Sequence, residues 1–484
     1  MTKDNFVTNK LSKAPLSSFD IEFSSSILSA AENFSSIRNE FFRFMKRTKV
    51  NKKSYNNIYH YVMEVSRKKN WLEEILYSQD VFFHPDDDNS SYFQSLFLIF
   101  TYILFEQEFS RSIKPNYKSV SSILKKICKK RKLMVYFDDL SSNLLRLTTF
   151  NKANWFQKND DPLLELSMRY FHPLWLIEYF SHFWESSEVE QLLQANNEPK
   201  NQWIRIVPSA AIPLSKQIFL VKRSLESQDV IIENKTPFPD IFEAKKIGNI
   251  PLVLTQCFKN KDFVIQSKAS ALISHVLDPQ IGDVVLDLSS APGMKASHLA
   301  VLMKDQGKLI CNDISQKRSR TLVKRFRQNG YQCSFTVADG GHNISYPAKS
   351  NSFDRILLDA PCSSTGIIGM YPDHKWHPQE KVSDFSTIQN HLMAEAIRLL
   401  KPDGIGVYSV CSFHYLEGEQ IIANFLDKIS LLEPNIGESG TCFPKNLEND
   451  PFPADIGKFC RRLFPHRDRT DGFFIAKFKK KGEN

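Results

Sequence analysis

Two cysteines 49 positions apart are the residues best suited to do chemistry in this 484-residue chain. Cys362 follows the apolar run Ile356-Leu357-Leu358 in the stretch ILLDAPCSSTGIIGMYPDHKW, and Cys411 follows Val407-Tyr408-Ser409-Val410. Each thiol stands where a strand is expected to end, the edge of an open α/β sheet at which ligands bind. A thiolate that adds to carbon 6 of a pyrimidine makes carbon 5 enamine-like, so that carbon 5 can take a methyl group. The carbon-5 proton then leaves and the thiolate is expelled. Asp359, three residues before Cys362, is placed to hydrogen-bond the N3/N4 edge of a cytosine and to stabilise its protonated form. A free cysteine is more often a small core hydrophobe. Two of them at strand ends, each before a serine-containing turn, weigh against that here.

A cofactor site is expected upstream. The strand Val284–Leu288 runs into the small-residue turn Ser289-Ser290-Ala291-Pro292-Gly293 and then a helix from Met294. Small residues let backbone approach a ligand, and the first turn of a helix offers free N–H groups. Neither G-x-G-x-x-G nor G-x-x-x-x-G-K-[ST] is present, which argues against a dinucleotide or a nucleoside triphosphate. Asp313 lies 26 residues after Asp287, a spacing that suits an acid holding two ribose hydroxyls. Asp339 ends the next strand and is placed to meet an adenine amino group. S-adenosylmethionine, which has no pyrophosphate, fits this turn better than NAD.

The elements that must position these residues alternate. Strands are expected at Leu309–Ile314, Ser334–Ala338, Arg355–Leu358, Ile405–Val410 and Phe473–Phe478, with helices between them. The helix from Glu380 to Leu400 stops at Lys401-Pro402-Asp403-Gly404. Such alternation means a mainly parallel sheet covered on both faces, a Rossmann-like α/β domain over residues 238–484. Residues 151–237 read as a small α+β unit, with a short helix after Pro173 and strands at Trp203–Val207, Ile218–Val221 and Val230–Ile232. Arg205 on the first of these would face phosphate or be a plain edge charge. Residues 21–150 show helical periodicity, and residues 1–20 form a polar, loosely ordered tail.

The chain carries 63 Lys+Arg against 54 Asp+Glu, a formal charge of +9. Residues 1–150 hold 23 basic and 16 acidic side chains, most of that surplus. Arg111 to Lys132 contains nine basic residues and no acid. A helix with such a run can track a phosphate backbone, although a solvated surface helix would show the same composition. No segment is apolar enough to span a bilayer, and no signal-peptide core is seen. The eight cysteines lack any CxxC spacing, so no metal is expected, and reduced thiols point to the cytoplasm. A monomer is expected, since no coiled-coil repeat is evident.

VLDLSSAPGMKASHLA, DAPCSSTGIIGMYPDHKW, VYSVCSFHYLEGE and RLFPHRDRTDGFFIAKF resemble, in order and spacing, the signatures of the Sun/Fmu (RsmB-like) family of S-adenosylmethionine-dependent RNA cytosine-5 methyltransferases. The likeness covers roughly residues 160–480. It implies a class I methyltransferase fold preceded by a helical NusB-like RNA-binding domain, with small-subunit rRNA as substrate. By this resemblance Cys411 is the nucleophile and Cys362 assists product release. Ser289, Ser290, Ala291, Pro292, Gly293, Met294, Lys295, Asp313, Asp339 and Asp359 bind S-adenosylmethionine, with Lys295 and Asp359 also in the catalytic set. Met294 stands where the family has a second glycine, so weaker cofactor affinity is expected. Gly369-Met370 replaces a commonly arginine-bearing loop, and Val207 replaces a frequent Asn. Two other readings stay open: the same chemistry on tRNA or another RNA, and a non-catalytic RNA-binding or ribosome-assembly factor that retains the fold.

Overall fold

The computed structural model describes residues 16–31, 36–83, 87–106, 116–158, 160–199, 201–208, 212–246, 251–339, 349–437 and 454–482. The chain divides into two compact units. Of the described residues, one holds those up to Asn197 together with Tyr371–Trp376, and the other holds those of Glu198–Met370 and from His377 onward.

The first unit is helical throughout its described residues. Its core gathers Phe41, Trp71, Phe97, Phe100 and their neighbours from helices that each bury an apolar stripe. The helices continue past residue 150, where the sequence suggested a change of domain. Trp155 packs edge-on to Trp71 at 5.1 Å and donates to Glu74 at 2.9 Å, so Lys152–Lys158 shares the core of this unit. The expected basic helix is Tyr117–Arg131, capped by Asn116 and Ser119. It buries Val120, Ile123, Leu124, Ile127 and Cys128 and exposes its lysines, while Glu22 takes Lys130 at 2.7 Å and Arg131 at 3.2 Å. Arg111 and Lys114 lie outside the described residues, as do residues 1–15 of the expected tail. The end of the cysteine-bearing stretch belongs to this unit as well. Lys375, 1% exposed, donates to Phe171 O at 2.9 Å and to Asn197 Oδ1 at 3.0 Å, and Trp376 donates to Ser66 O at 2.6 Å.

The second unit contains two sheets. The smaller is antiparallel, in the order β2-β3-β1-β4, from β1 (Gln202–Ile206), β2 (Ile231–Glu233), β3 (Ile241–Lys246) and β4 (Phe263–Ile265). It therefore runs beyond residue 237. Ile218–Val221, expected as a strand, lies inside the helix Leu214–Glu226. Four residues are too few to separate period 2 from period 3.6, and Val221 and Leu225 are buried one helical turn apart.

The larger sheet has the order β10-β12-β9-β8-β5-β6-β7, with β11 (Arg461–Leu463) paired to β12. Its strands are β5 (Val284–Asp287), β6 (Lys308–Asn312), β7 (Ser334–Thr336), β8 (Phe353–Asp359), β9 (Leu400–Val410), β10 (Ile429–Leu432) and β12 (Phe473–Lys480). Pairings from β9 through β7 are parallel, while β12 runs antiparallel to both β9 and β10. Leu286, Leu357, Leu358 and Val407 are fully buried, as strands covered on both faces require. The chain proceeds outward from β5 to β6 and β7, then returns to place β8 on the other side of β5. The carboxyl ends of β5 and β8 thus flank a topological switch point, the crevice where open α/β sheets hold their ligands.

Candidate functional site

Both thiols stand at that crevice. Cys362 follows β8 and Cys411 follows β9, and their sulfurs are 3.3 Å apart. Ser364 Oγ lies 4.0 Å from Cys362 Sγ and 3.7 Å from Cys411 Sγ. The neighbouring Cys411 sulfur, then burial, then Glu417 push the Cys362 thiol well above the usual range. Cys362 is therefore held as a thiol.

A buried carboxylate fixes the loops that carry the sulfurs. Glu417 accepts from the Ser363 backbone N–H at 2.8 Å, from Ser363 Oγ at 2.5 Å and from Gln389 Nε2 at 3.1 Å, and it also binds Ser412 Oγ. Ser363 and Ser412 each follow a cysteine directly, so one side chain ties the two thiol loops together. Burial raises the Glu417 pKa against the lowering effect of these hydrogen bonds. Arg462, fully buried, forms a two-pronged pair with Glu419 at 2.7 and 2.6 Å and donates to the carbonyls of Ser412 at 2.8 Å and His414 at 3.1 Å. Two glycines let the backbones meet. A Cβ on Gly366 would lie 2.2 Å from Gly472 O, and one on Gly472 would lie 2.2 Å from the Phe413 ring.

Asp359, the last residue of β8, accepts from Lys295 Nζ at 2.7 Å and from Ser409 Oγ at 2.8 Å. Lys295 also lies 5.2 Å from the Phe473 ring centroid. Behind this pair, burial and then the Asp359 charge raise Asp287 well above the usual carboxylate range. Ser290 donates from N and Oγ to Asn312 O, at 2.7 and 2.8 Å. Gly293 has φ +94°, a conformation that favours glycine, and a Cβ there would meet Leu322 at 2.9 Å. Asp313 accepts from the N–H groups of Ala291 at 3.2 Å and Ser315 at 2.8 Å, and Arg318 lies 3.0 Å away. A carboxylate offers about four acceptor positions, so room is left for a ligand hydroxyl.

Residues 274–479 match the family model described as 16S rRNA methyltransferase RsmB/F. The probable ribosomal RNA small subunit methyltransferase B of Bacillus subtilis is 27% identical over 328 residues, 68% of this chain and 70% of its own length. Its namesake from Yersinia pestis is 29% identical over 338 residues, 67% of this chain and 71% of its own length. Among solved structures, PH0851 superposes with a TM-score of 0.75 at 24% identity, covering 96% of this chain and all of that one. NSun6 of Pyrococcus horikoshii, solved with the S-adenosylmethionine analogue SFG, superposes at 0.54 and 19% identity over 63% of this chain and 97% of its own. Over residues 274–479 the chain is thus similar to the RsmB/F methyltransferases.

The methyl donor of this family fold is S-adenosylmethionine. The donor set fits it: two strand-end acids, small residues at the turn and a helix N-terminus without a side-chain cap. The structure brings together Cys362, Cys411, Asp359 and Lys295, and it places Ser289–Lys295 and Asp313 on the adjoining strand end. Asp339, partly buried, follows β7 on the far side of β6. Met294 rests its sulfur against the Arg325 guanidinium of the next helix.

Three residues escaped the sequence reading. Asn312 joins three strand ends, donating to Leu288 O at 3.0 Å and Ala338 O at 3.1 Å and accepting from Thr336 Oγ1 at 2.9 Å. Glu417 and Arg462 lie inside the segments VYSVCSFHYLEGE and RLFPHRDRTDGFFIAKF, of whose residues only Cys411 has a role in the sequence reading. Arg205 is neither phosphate-facing nor an edge charge. It is buried on an inner strand and donates to Gln266 at 3.0 Å. Nearby, Asp240 sits 2.7 Å from His275 Nε2 and 3.3 Å from His298 Nε2, a grouping with the composition of a cation site. Burial, then the Arg205 charge, lower His298 to about 3. No helix among the described residues is long and apolar enough to cross a membrane.

Proposed function

We propose that this protein transfers a methyl group from S-adenosylmethionine to carbon 5 of a cytosine in RNA, with small-subunit rRNA as the substrate. The observation that carries the reading is the pair of sulfurs 3.3 Å apart beside Asp359, itself held by Lys295 and Ser409. The names of the curated relatives support the substrate class.

S-adenosylmethionine, when bound, supplies the electrophilic methyl. Cys411 Sγ adds to carbon 6 of the base, and the C5=C6 electron pair becomes available at carbon 5. Asp359 accepts from the cytosine N4 edge and stabilises the N3-protonated base as charge develops. Lys295 and Ser409 keep that carboxylate oriented. Once carbon 5 is substituted it loses its proton to solvent, the C5=C6 bond re-forms, and the bond from carbon 6 to Cys411 breaks with its electron pair returning to the sulfur. Cys362, held as a thiol, offers its hydrogen to the departing Cys411 sulfur. Glu417 and Arg462 hold both loops so that the sulfurs share one small space. The Ser289–Lys295 turn with Asp313 binds the cofactor, and the lysine-rich helix Tyr117–Arg131 adds phosphate contacts.

Incubation with unmodified small-subunit rRNA and labelled S-adenosylmethionine, followed by nucleoside mass spectrometry, tests this directly. Labelled 5-methylcytosine is expected. Label on another atom or another base contradicts the chemistry. Neither cofactor binding nor transfer leaves the non-catalytic reading.

A further inference from the structure

A second charged face lies on the methyltransferase unit itself, away from the thiols. The helix Gln316–Asn329 (QKRSRTLVKRFRQN) carries six basic side chains and no acid. Arg320 and Lys324 are one turn apart, as are Lys324 and Arg327, so like charges repel along the exposed face. Among the described residues none of these three meets a carboxylate, although Arg318 on the same helix pairs with Asp313. With Val323, Phe335 and Val337 they line an open groove of about 550 Å³ between this helix and the end of β7. Phe335 and Val337 are 38% and 53% exposed. β7 is the edge strand of the sheet, three strand spacings from β8, or about 14 Å.

A solvated helix would ordinarily intersperse acids among its bases, and an apolar docking groove would not be rimmed by one sign of charge. Cations that repel one another beside exposed aromatic and aliphatic surface match an unpaired RNA strand. Phosphates take the charges, and a splayed base takes the aromatic face. The distance from β8 makes this a contact with nucleotides that flank the target, not with the target base.

We infer that the groove between helix Gln316–Asn329 and β7 binds a single-stranded segment of the substrate RNA through Arg320, Lys324, Arg327 and Phe335. The inference rests on the proposed RNA substrate and adds where the flanking strand is held. Wild type and an Arg320→Gln/Lys324→Gln/Arg327→Gln variant are titrated with an unmodified small-subunit rRNA transcript over a series of KCl concentrations. S-adenosylmethionine affinity, measured by calorimetry, reports that the fold is kept. The variant should bind RNA about tenfold or more weakly, with a log K against log [salt] slope shallower by about 2, and bind the cofactor normally. A benzophenone side chain in place of Val337, in an otherwise wild-type chain, should cross-link to the transcript. That second measurement decides the matter if the triple variant does not fold. An unchanged affinity and slope, or no cross-link, overturns the groove while leaving the proposed function standing. Wild type that binds no RNA overturns both. Wild type that binds RNA without forming 5-methylcytosine removes the proposed function only, and the slope comparison still judges the groove.

Discussion

Lys295 reaches Asp359 across the mouth of the crevice at 2.7 Å, and Ser409 holds the other oxygen of the same carboxylate at 2.8 Å. An acid fixed at both oxygens presents a defined edge to a base. Loosening it should cost turnover more than substrate affinity. Lys295→Gln is expected to lower kcat about 10²-fold with little change in KM for RNA, read from steady-state methyl transfer. An unaltered kcat would remove Lys295 and Asp359 from the chemistry. Met294 belongs to this scale as well. Its bulk suggested a weakened cofactor site, yet its sulfur lies against Arg325. Met294→Gly should therefore change S-adenosylmethionine affinity less than threefold by calorimetry, and a large gain would show that the side chain obstructs the turn. The thiols and Asp359 stood out because strand-end acids and cysteines leave a mark in the chain, whereas Lys295 came only from the family resemblance. The 3.3 Å and 2.7 Å approaches of these groups were not legible, because residues 49 and 64 positions apart meet only through strand order.

Two loops and a hairpin hold the thiols, and their stability is concentrated in a few buried polar groups. Arg462 is fully buried, and its removal would strand Glu419 as an uncompensated charge and leave two carbonyls without donors. Arg462→Ala is expected to destabilise the methyltransferase unit by about 3–5 kcal/mol, seen as a lower urea midpoint. A loss within experimental error would mean that the pair is replaceable by water. Glu417→Gln should be milder than Glu417→Ala, since the amide keeps an acceptor for the Ser363 N–H. Parallel strands and crossover helices followed from runs of apolar residues and turn signals. The β2-β3-β1-β4 sheet was only half visible, because β4 is three residues long and β3 mixes Glu243, Lys245 and Lys246 with its apolar residues. Ile218–Val221 reads as a strand for a related reason, although it lies in the helix Leu214–Glu226. Its apolar face is read only when Leu225 is counted with it.

Across the whole molecule, charge and burial make two further statements. Lys125, Lys126 and Lys129 are exposed on the helix Tyr117–Arg131. Replacing these three by Gln should weaken rRNA binding and flatten its salt dependence by about 2 in log-log slope. An unchanged slope would leave that helix a solvated surface. Burial lowers His298 to about 3 and His414 to about 4, from ordinary values near 6.5. Both rings are neutral in the folded protein, whereas the unfolded chain binds protons there as soon as pH drops below about 6.5. Stability from these groups is therefore present above that pH and is lost as pH falls toward 4. The unfolding temperature should drop by about 4 °C or more between pH 7 and pH 5, and less so in His414→Gln. The helical unit was legible as helical, but its end at Asn197 was not. Trp155 joins its core through Trp71 and Glu74, contacts that composition does not announce. The central claim is that Cys411 bonds to the base and Cys362 releases it. A denaturing gel of Cys362→Ala and Cys411→Ala, each with S-adenosylmethionine and unmodified small-subunit rRNA, tests it most directly. A slow-migrating, nuclease-sensitive protein–RNA adduct from Cys362→Ala and none from Cys411→Ala is the predicted result; the reverse pattern would contradict it.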